Sequence, residues 1–369
     1  MKQQMKPQGE NMANLKKTVA VGMSGGVDSS VTAALLLEKG YNVTGLTMSV
    51  WDGSLNISED IKNSCYGPGE DEEIEAVKNF CDDLGIRHEV VDLKKEYKKE
   101  VIRYFKKEYM SGRTPNPCVM CNHRMKFGAL IEKAEDSGLD FDFFATGHYV
   151  RKVEDSGSFY LKKAVDSGKD QTYFLQGLRR ETLKRLLFPL GELKKEKVRA
   201  IAREMGLDVA ERPESQDFIA GEYSQVFKEE NLPEGEIVNE KGEVLGHHKG
   251  IIHYTVGQRK GLGISNPEPL YVLKIDAGKN RIVVTEKKQL FSREFTASSF
   301  NYMLPGTPPD KFRAKAKIRQ KHKEAPAEIK RISEQKIEVA FDEPQLSITP
   351  GQAVALYDGE ILMGGGTIE

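Results

Sequence analysis

Two cysteines three residues apart, Cys118 and Cys121, lie in the segment NPCVMCN at residues 116–122. Cysteines with this spacing occur in zinc sites, in redox dithiols and in active sites that use a thiolate as the nucleophile. Zinc is usually bound by four ligands, and His123 is too close in sequence to complete such a set. The residue types favour chemistry at sulfur, while structural zinc and a thioredoxin-like dithiol stay open as alternatives.

The sequence around the cysteine pair is cationic. A helical pattern follows the pair, and Arg113, Arg124 and Lys126 are close to it in sequence. A helix N-terminus and nearby cations lower the pKa of a thiol, because both stabilise the thiolate. We therefore expect a nucleophilic thiolate in this segment.

A glycine-serine loop, VGMSGGVDSS at residues 21–30, lies between a short apolar strand and a helical pattern. The backbone N–H groups of Gly25 and Gly26 can approach phosphate oxygens, and the following helix adds its N-terminal dipole. Asp28 would repel phosphate unless a cation lies between them, so we expect Mg²⁺. The alternative is a plain turn between strand and helix, and the loop matches neither the Walker A motif nor the dinucleotide fingerprint.

Strand and helix patterns alternate from the strand at residues 17–23 to the helix at residues 195–210. Such alternation predicts an α/β fold with a parallel sheet and helices on both faces. From about residue 226 the chain has short strands with frequent turns, and from about residue 293 it alternates as strands to the end. We expect a parallel-sheet catalytic domain at 15–225, a small β-rich domain at 226–292 and an antiparallel β-barrel at 293–369.

The composition is that of an ordinary globular protein, with 369 residues, 38% hydrophobic, 30% charged and a net charge of −1. We expect a cytoplasmic protein with no membrane partner, because no signal peptide and no apolar run of transmembrane length is present. The four cysteines, too few for a disulfide scaffold, should be reduced thiols. Cys81 has helix spacing and apolar neighbours, which indicates core packing.

Six spaced segments carry a resemblance to a known family. The form SGGxDS resembles the PP-loop of ATP pyrophosphatases, which break the bond between the α and β phosphates and leave AMP on a substrate oxygen. With the others, the chain resembles the bacterial tRNA-specific 2-thiouridylases (tRNA-uridine 2-sulfurtransferases) from about residue 17 to its end. The segments are GMSGGVDSS, GRTPNPCVMCN, ATGHY, KDQTYFL, YTVGQRKGLGI and TPGQAV.

The resemblance implies an activity and its site residues. ATP would adenylate the C2 oxygen of the wobble uridine of tRNA, and sulfur carried on Cys121 would replace that oxygen, giving 2-thiouridine, AMP and pyrophosphate. The residues implied to bind ATP are Gly22, Met23, Ser24, Gly25, Gly26, Val27, Asp28, Ser29, Met48 and Gly147. Those implied to contact tRNA are Asn116, Pro117 and Cys118 at the target base, and His148, Lys169, Asp170, Gln171, Arg319, Gln320 and Gln352 elsewhere.

The chain departs from the family at the second cysteine, which relays sulfur. That cysteine follows a turn resembling residues 212–223 here, which contain none and have an aliphatic residue, Ile219, near its place. Cys118 or Cys65 could act as the second catalytic thiol, or Cys65, Cys118 and Cys121 could hold an iron-sulfur cluster. The sulfur itself would come from a partner protein such as a cysteine desulfurase or a sulfur carrier.

A basic segment, KFRAKAKIRQKHK at residues 311–323, has a cation at every second position. On one strand these cations would share a face and repel one another, which favours a polyanion partner over a merely solvated surface. We expect tRNA affinity that depends strongly on salt. The cations are Lys311, Arg313, Lys315, Lys317, Arg319, Lys321 and Lys323.

Two other functions remain as alternatives. One is another ATP pyrophosphatase that makes a small amide or guanidino product, which would need no basic β-rich tail. The other is a nucleotide-responsive tRNA-binding protein without chemistry, suggested by the missing relay cysteine.

Overall fold

A five-stranded parallel sheet forms the first part of the chain. The computed structural model describes residues 16–55, 64–207, 218–219 and 221–369. The strands are β1 (Thr18–Gly22), β2 (Asn42–Ser49), β3 (Arg87–Asp92), β4 (Phe143–Ala145) and β7 (Leu186–Leu187). They lie in the order β3–β2–β1–β4–β7, and every neighbouring pair is parallel. The sequence prediction of a parallel sheet is confirmed.

Helices cover both faces of this sheet. Val19 and Val21 of β1 pack in one core cluster with side chains of α1 and α2, while Ala20 packs in another with side chains of α4 and α6. Successive side chains of a strand point to opposite faces, so this short apolar strand is buried on both sides. The helices are α1 (Val27–Glu38), α2 (Glu70–Asp83), α3 (Lys94–Tyr97), α4 (Arg103–Met110), α5 (Pro117–Met120), α6 (Leu130–Asp136) and α7 (Lys195–Glu204). Two π-helical stretches, Lys98–Ile102 and Cys121–Ala129, join α3 to α4 and α5 to α6.

A small four-stranded sheet follows, with its own apolar core. Its strands are β8 (Gly235–Val238), β9 (Val244–His248), β10 (Leu270–Asp276) and β11 (Arg281–Glu286), in the order β10–β11–β8–β9. Strands β8 and β11 are parallel, whereas the other neighbouring pairs of this sheet are antiparallel. Val272, Ile282 and Val284 are fully buried between the sheet and its loops.

The last part of the chain is a closed antiparallel barrel, as predicted. Its six strands are β12 (Phe291–Tyr302), β13 (Lys311–Lys317), β14 (Ala325–Ser333), β15 (Lys336–Leu346), β16 (Ala353–Asp358) and β17 (Ile361–Ile368). The order β12–β15–β14–β13–β16–β17 closes through pairing of β12 with β17. A hairpin from the first part of the chain, β5 (Val150–Asp155) and β6 (Ser158–Lys163), extends this sheet by pairing at Lys162 with Ile361 of β17. Among the described residues, no helix has the length and apolar character needed to span a membrane.

The basic segment is not the single charged face that its period predicts. Strand β13 ends at Lys317, so Arg319, Lys321 and Lys323 lie in the turn that follows. Acids from neighbouring segments also neutralise the strand, so the argument from mutual repulsion was wrong. The ion pairs are Lys311 with Glu328, Arg313 with Asp342 and Lys315 with Glu324.

Candidate active site

A cavity of about 280 Å³ opens at the carboxyl ends of β1, β2 and β4. Ligands of open α/β sheets bind at this edge. All ten residues that the sequence resemblance implies for ATP line the cavity: the run from Gly22 to Ser29, together with Met48 and Gly147. Cys65, Lys126 and Gln171 also line it. The fold brings the predicted residues together, and their nucleotide contacts stay a prediction.

The loop after β1 is held in shape by its own hydrogen bonds. The Ser24 N–H donates to the Ser29 hydroxyl at 3.3 Å, and that hydroxyl donates to the Gly26 carbonyl at 3.0 Å. A Cβ atom at Gly147 would lie 2.8 Å from the backbone of Asp28 and 2.9 Å from that of Ser29. Only glycine lets the segment after β4 approach the loop this closely.

Asp28 has a cationic partner from the protein itself. The Lys195 ammonium lies 2.8 Å from both carboxylate oxygens, and the Tyr149 hydroxyl donates to one of them at 2.8 Å. The argument that Asp28 requires Mg²⁺ for charge balance was therefore wrong. Sequence reasoning missed Lys195, which begins α7 in a segment rich in lysine and glutamate where no motif marks it.

The cysteine pair lies at the start of a helix, as predicted. Asn116 is the N-cap, and its side-chain oxygen accepts a hydrogen bond from the Val119 N–H at 3.2 Å. Pro117 occupies the first helical position, where its missing N–H costs nothing. This start places Cys118 in the first turn of the helix and Cys121 one turn later.

The thiols are not activated in the way that the sequence predicts. Burial raises the pKa of the Cys121 thiol to about 12, against the opposing effect of Lys126, and Cys65 and Cys118 raise it further. Part of Cys118 reaches solvent, yet the protein around its thiol raises the pKa to about 11, and Cys65 adds to this effect. The expectation of lowered pKa values was wrong, because burial outweighs the cation. Cys65 thus contributes to the electrostatics of both thiols of the pair.

Of the three cations close in sequence, Arg113, Arg124 and Lys126, only Lys126 lowers the pKa of both thiols. Arg113 pairs with Glu108 at 2.7 Å, and Arg124 lines a separate cavity. Proximity in sequence therefore overstated the positive charge around the cysteines.

A buried hydroxyl without a partner lies in the apolar cluster against which Cys121 packs. Tyr97 is 1% exposed, and among the described residues its hydroxyl makes no hydrogen bond. Its pKa is raised by burial and then by the negative charge that Cys121, Cys65 and Cys118 can carry. The Tyr97 ring stacks on Tyr66, the residue after Cys65, with 5.3 Å between ring centroids. A buried hydroxyl left unpaired costs about 1–3 kcal/mol, so this one calls for an explanation.

The thiols do not form a metal site in this arrangement. Within the described ranges, no group of three Cys, His, Asp or Glu side chains has the spacing needed to hold a metal ion. The possible iron-sulfur cluster on Cys65, Cys118 and Cys121 therefore does not fit these residues as they are placed, because they do not form such a group.

Two residues predicted to contact tRNA, Asp170 and Gln171, use side-chain oxygens in hydrogen bonds within the protein. The Asp170 carboxylate accepts from the Ala164 N–H at 3.0 Å and from the Thr172 hydroxyl at 2.7 Å. The Gln171 side-chain oxygen accepts from the Tyr149 N–H at 2.9 Å. These bonds fix the loop around Lys169, and the roles of all three residues toward tRNA stay predictions.

His148 lies in the wall of the nucleotide cavity. Its Nδ1 is 2.8 Å from the Thr146 hydroxyl, and burial, assisted by Lys126, holds its pKa well below the usual range. A neutral imidazole at this position cannot offer positive charge to a phosphate. Its contact with tRNA stays a prediction.

The three barrel residues predicted to contact tRNA donate to backbone carbonyls. The bonds of Gln320 and Gln352 connect the barrel to the loops around the cavity and the cysteines, whereas the bond of Arg319 lies within the barrel, and the predicted tRNA contacts are not tested by them. Arg319 donates to Leu346 at 3.2 Å, Gln320 to Asp170 at 2.9 Å, and Gln352 to Thr114 at 3.1 Å and Pro115 at 3.2 Å.

Ile219, near the expected place of the relay cysteine, is 4% exposed and belongs to the same apolar cluster as Tyr97. The neighbouring Phe218 ring stacks on Tyr97 at 6.5 Å. Residues 212–217 and 220 of that turn lie outside the described residues.

Three family models match successive parts of the chain. They are described as the tRNA methyl transferase HUP domain at residues 17–220, the tRNA methyl transferase PRC-barrel domain at 225–286 and the aminomethyltransferase β-barrel domain at 292–368. Among solved structures, the chain is similar to a 4-thiouridine synthetase in an RNA complex with bound ATP, at 18% identity and a TM-score of 0.36 over 53% of this chain and 43% of that one. An NMN synthetase from Francisella tularensis has 15% identity and a TM-score of 0.31 over 53% and 65%. Neither likeness is close enough to support an argument.

The curated relatives are much closer in sequence. The tRNA-specific 2-thiouridylase MnmA of Acetivibrio thermocellus is 45% identical over 362 residues, which cover 96% of this chain and 99% of the relative. The protein of the same name from Carboxydothermus hydrogenoformans is 45% identical over 365 residues, covering 96% and 98%. With identity at this level across nearly the full length of both proteins, the chain belongs to the family of tRNA-specific 2-thiouridylases.

Proposed function

We propose that the chain converts the wobble uridine of tRNA to 2-thiouridine, using ATP and sulfur carried on Cys121. The observation that supports this most is that the cavity and the thiols share residues. Lys126 lines the cavity and also lowers the pKa of the Cys118 and Cys121 thiols. Cys65 lines the cavity too and raises the pKa of the same two thiols. A base activated in the cavity would thus be close to the sulfur that must attack it.

The proposed reaction has three substitutions. The C2 oxygen of uridine attacks the α phosphorus of ATP and pyrophosphate leaves. The terminal sulfur of a persulfide on Cys121 then attacks C2 and AMP leaves, so a carbon-sulfur bond forms as the carbon-oxygen bond breaks. A second thiol, Cys118 or Cys65, attacks the Cys121 sulfur and releases 2-thiouridine, which leaves a protein disulfide for an external thiol to reduce.

The environment of Cys121 fits a persulfide better than a free thiolate. A thiol with a pKa of about 12 is almost fully protonated at neutral pH. The hydroxyl of Tyr97 has no partner among the described residues and can donate to sulfur charge that appears at Cys121. In this proposal the Tyr97 hydroxyl has a hydrogen-bond partner only when Cys121 carries the persulfide or is reacting.

The remaining parts of the proposal concern ATP and the partners. The loop from Gly22 to Ser29 would bind the phosphates, and Mg²⁺ would enter with the triphosphate, because Asp28 is already paired. The sulfur would come from a cysteine desulfurase or a sulfur carrier. We also propose functional units at 15–225, 226–292 and 293–369, and a cytoplasmic location.

The test is a reaction with ATP, unmodified tRNA and a cysteine desulfurase supplied with cysteine. Wild-type protein should form 2-thiouridine together with AMP, and Cys121→Ala should form none. Cys81→Ala is the matched control, because Cys81 is fully buried in a different core cluster and should leave the yield unchanged. Mass spectrometry of the digested tRNA identifies the product.

Each other outcome points to a different function. Added methyl mass would support the methyl transferase named in two family-model descriptions. AMP formed from ATP with a small molecule and without tRNA would support a synthetase, and tRNA binding without AMP would support a non-catalytic binding protein. If free sulfide restored full thiolation to Cys121→Ala, sulfur would not pass through Cys121.

A further inference from the structure

We propose that Gln352 is a positioning residue that holds the cysteine helix in place from the barrel. Its amide nitrogen donates to the carbonyls of Thr114 at 3.1 Å and Pro115 at 3.2 Å. Pro115 directly precedes Asn116, the N-cap of the helix that carries both cysteines. The inference rests on the proposed function only in taking Cys121 as the reacting thiol.

The barrel holds this segment through the backbone as well. The Thr114 N–H donates to the Pro350 carbonyl at 2.8 Å, and the Arg113 guanidinium donates to the Ile368 carbonyl at 2.9 Å. Gly351 has a φ of +90°, and a Cβ atom there would lie 2.8 Å from the Thr114 carbonyl oxygen. The fit between the barrel loop and the segment therefore depends on a glycine.

The middle domain contacts the same residues from another side. The Thr114 hydroxyl is 3.2 Å from the Thr255 hydroxyl. Gly112 has a φ of +76°, and a Cβ atom there would lie 2.9 Å from the Ile275 side chain. Three parts of the fold thus meet at residues 112–115, which we call the clamp segment.

The clamp segment leads directly into the cysteine helix, so its position sets the position of the thiols. A displacement of about 1 Å at a reacting group can lower a rate about a hundredfold. Gln352 supplies two of the bonds that prevent such a displacement, and its amide is occupied in a protein without RNA.

The decisive variant is Gln352→Glu, which keeps the shape of the side chain but removes its donor and repels both carbonyls. We expect alkylation of Cys118 and Cys121 by iodoacetamide to become several-fold faster in the absence of tRNA and nucleotide, because the helix start is released. In thiolation assays, kcat should fall while the KM for tRNA stays unchanged. Gln335→Glu is the matched control, because Gln335 is exposed in the turn between β14 and β15, and it should change neither quantity.

Gln352→Met serves if the added charge prevents folding, because methionine lacks the donor but remains neutral and of similar length. Unchanged alkylation together with a raised KM for tRNA would overturn the proposal and make Gln352 a tRNA contact. Alkylation is measured without turnover, so this result is independent of whether the chain thiolates tRNA. A chain that fails to thiolate but still shows faster alkylation would keep the positioning role and remove the proposed function.

Discussion

The cavity at the ends of β1, β2 and β4 and the cysteine segment are neighbours, but they are built differently. The loop from Gly22 to Ser29 is formed by one strand, one turn and one helix, and Gly147 and Lys195, which pack against it, belong to the same α/β domain. The cysteine segment is held by the first domain, the middle domain and the barrel together. The cavity is thus a local structure, whereas the position and protonation of the thiols are properties of the whole fold.

Among changes near the cavity, removal of the Lys195 ammonium should have the largest effect on stability and ATP affinity. Lys195→Met leaves the Asp28 carboxylate without its ammonium partner. Because this carboxylate is partly exposed, the loss should cost about 1–3 kcal/mol of unfolding free energy, between the values for an exposed and a buried pair. The unpaired charge should also repel triphosphate, so ATP affinity should fall strongly in calorimetric titration. The double variant with Asp28→Asn should recover most of the thermal stability. Equal stability of the single variant and the wild type would contradict a structural role for the pair.

The pH dependence of alkylation tests whether the pKa values of the Cys118 and Cys121 thiols are raised. Because burial raises the pKa of Cys118 to about 11 and of Cys121 to about 12, only the small thiolate fraction reacts at neutral pH. That fraction grows about tenfold per pH unit below the pKa, so both alkylation rates should rise steadily from neutral pH to about pH 10. Peptide mass spectrometry resolves the two sites. Alkylation rates that stop rising below pH 8 would show that the thiol pKa values are lowered, as the sequence predicts.

A single methyl group should disturb the phosphate loop. Gly147→Ala puts a Cβ atom against the backbone of Asp28 and Ser29, and overpacking of this kind costs about 1–3 kcal/mol. ATP affinity should fall about tenfold, while alkylation of the cysteines stays unchanged if the two regions are independent. Gly278→Ala, in a turn where a Cβ atom would make only an ordinary contact, is the control. A parallel change in cysteine alkylation would show that the two regions are coupled.

Loss of the Tyr97 hydroxyl should separate stability from activity. Tyr97→Phe removes an unpaired buried polar group, so the melting temperature should stay the same or rise. Thiolation should fall several-fold, because the hydroxyl no longer donates to sulfur at Cys121. Phe105→Leu changes the same aromatic cluster away from the thiols and serves as the control. Unchanged thiolation in Tyr97→Phe would leave the hydroxyl without a role.

The smallest effects should come from the basic segment, and they should differ by position. Lys321 and Lys323 have no ion pair with a described residue, whereas Arg313 pairs with Asp342. Replacing each free lysine by alanine should lower the slope of log affinity for tRNA against log salt by about 1, and Arg313→Ala should lower it less. Slopes equal to that of the wild type in all three variants would show that this segment does not bind RNA. Filter binding at several salt concentrations measures the slopes.

Sequence reasoning works best where a motif is local. The run from Gly22 to Ser29 could be singled out because strand, turn and helix start are contiguous, and it does line one cavity, while its binding of phosphate stays a prediction. Lys195 was missed because it is 167 residues away from Asp28 along the chain. Gln352 was given a tRNA role by resemblance alone, and no spacing in the sequence indicates that its amide faces Thr114.

Charge was the least predictable property. Three cations near the cysteines suggested a thiolate, but Glu108 neutralises Arg113, and burial of the thiols, which no count of neighbours reveals, outweighs Lys126. The basic residues alternate on strand β13 as far as Lys317, but the acids that pair with them lie on β14, on β15 and in the loop before β14. Burial and ion pairs with residues distant in sequence thus decide the electrostatic potential at both the cysteines and the basic segment.

The β5–β6 hairpin belongs by sequence to the α/β domain but lies at the end of the barrel sheet, where Arg151 and Glu360 form an ion pair at 2.8 Å and Lys163 and Glu324 one at 2.5 Å. Melting the barrel would leave an edge of this hairpin exposed and remove these partners. The two domains should therefore lose structure together on heating, in one cooperative calorimetric transition, although they look like separate modules along the chain.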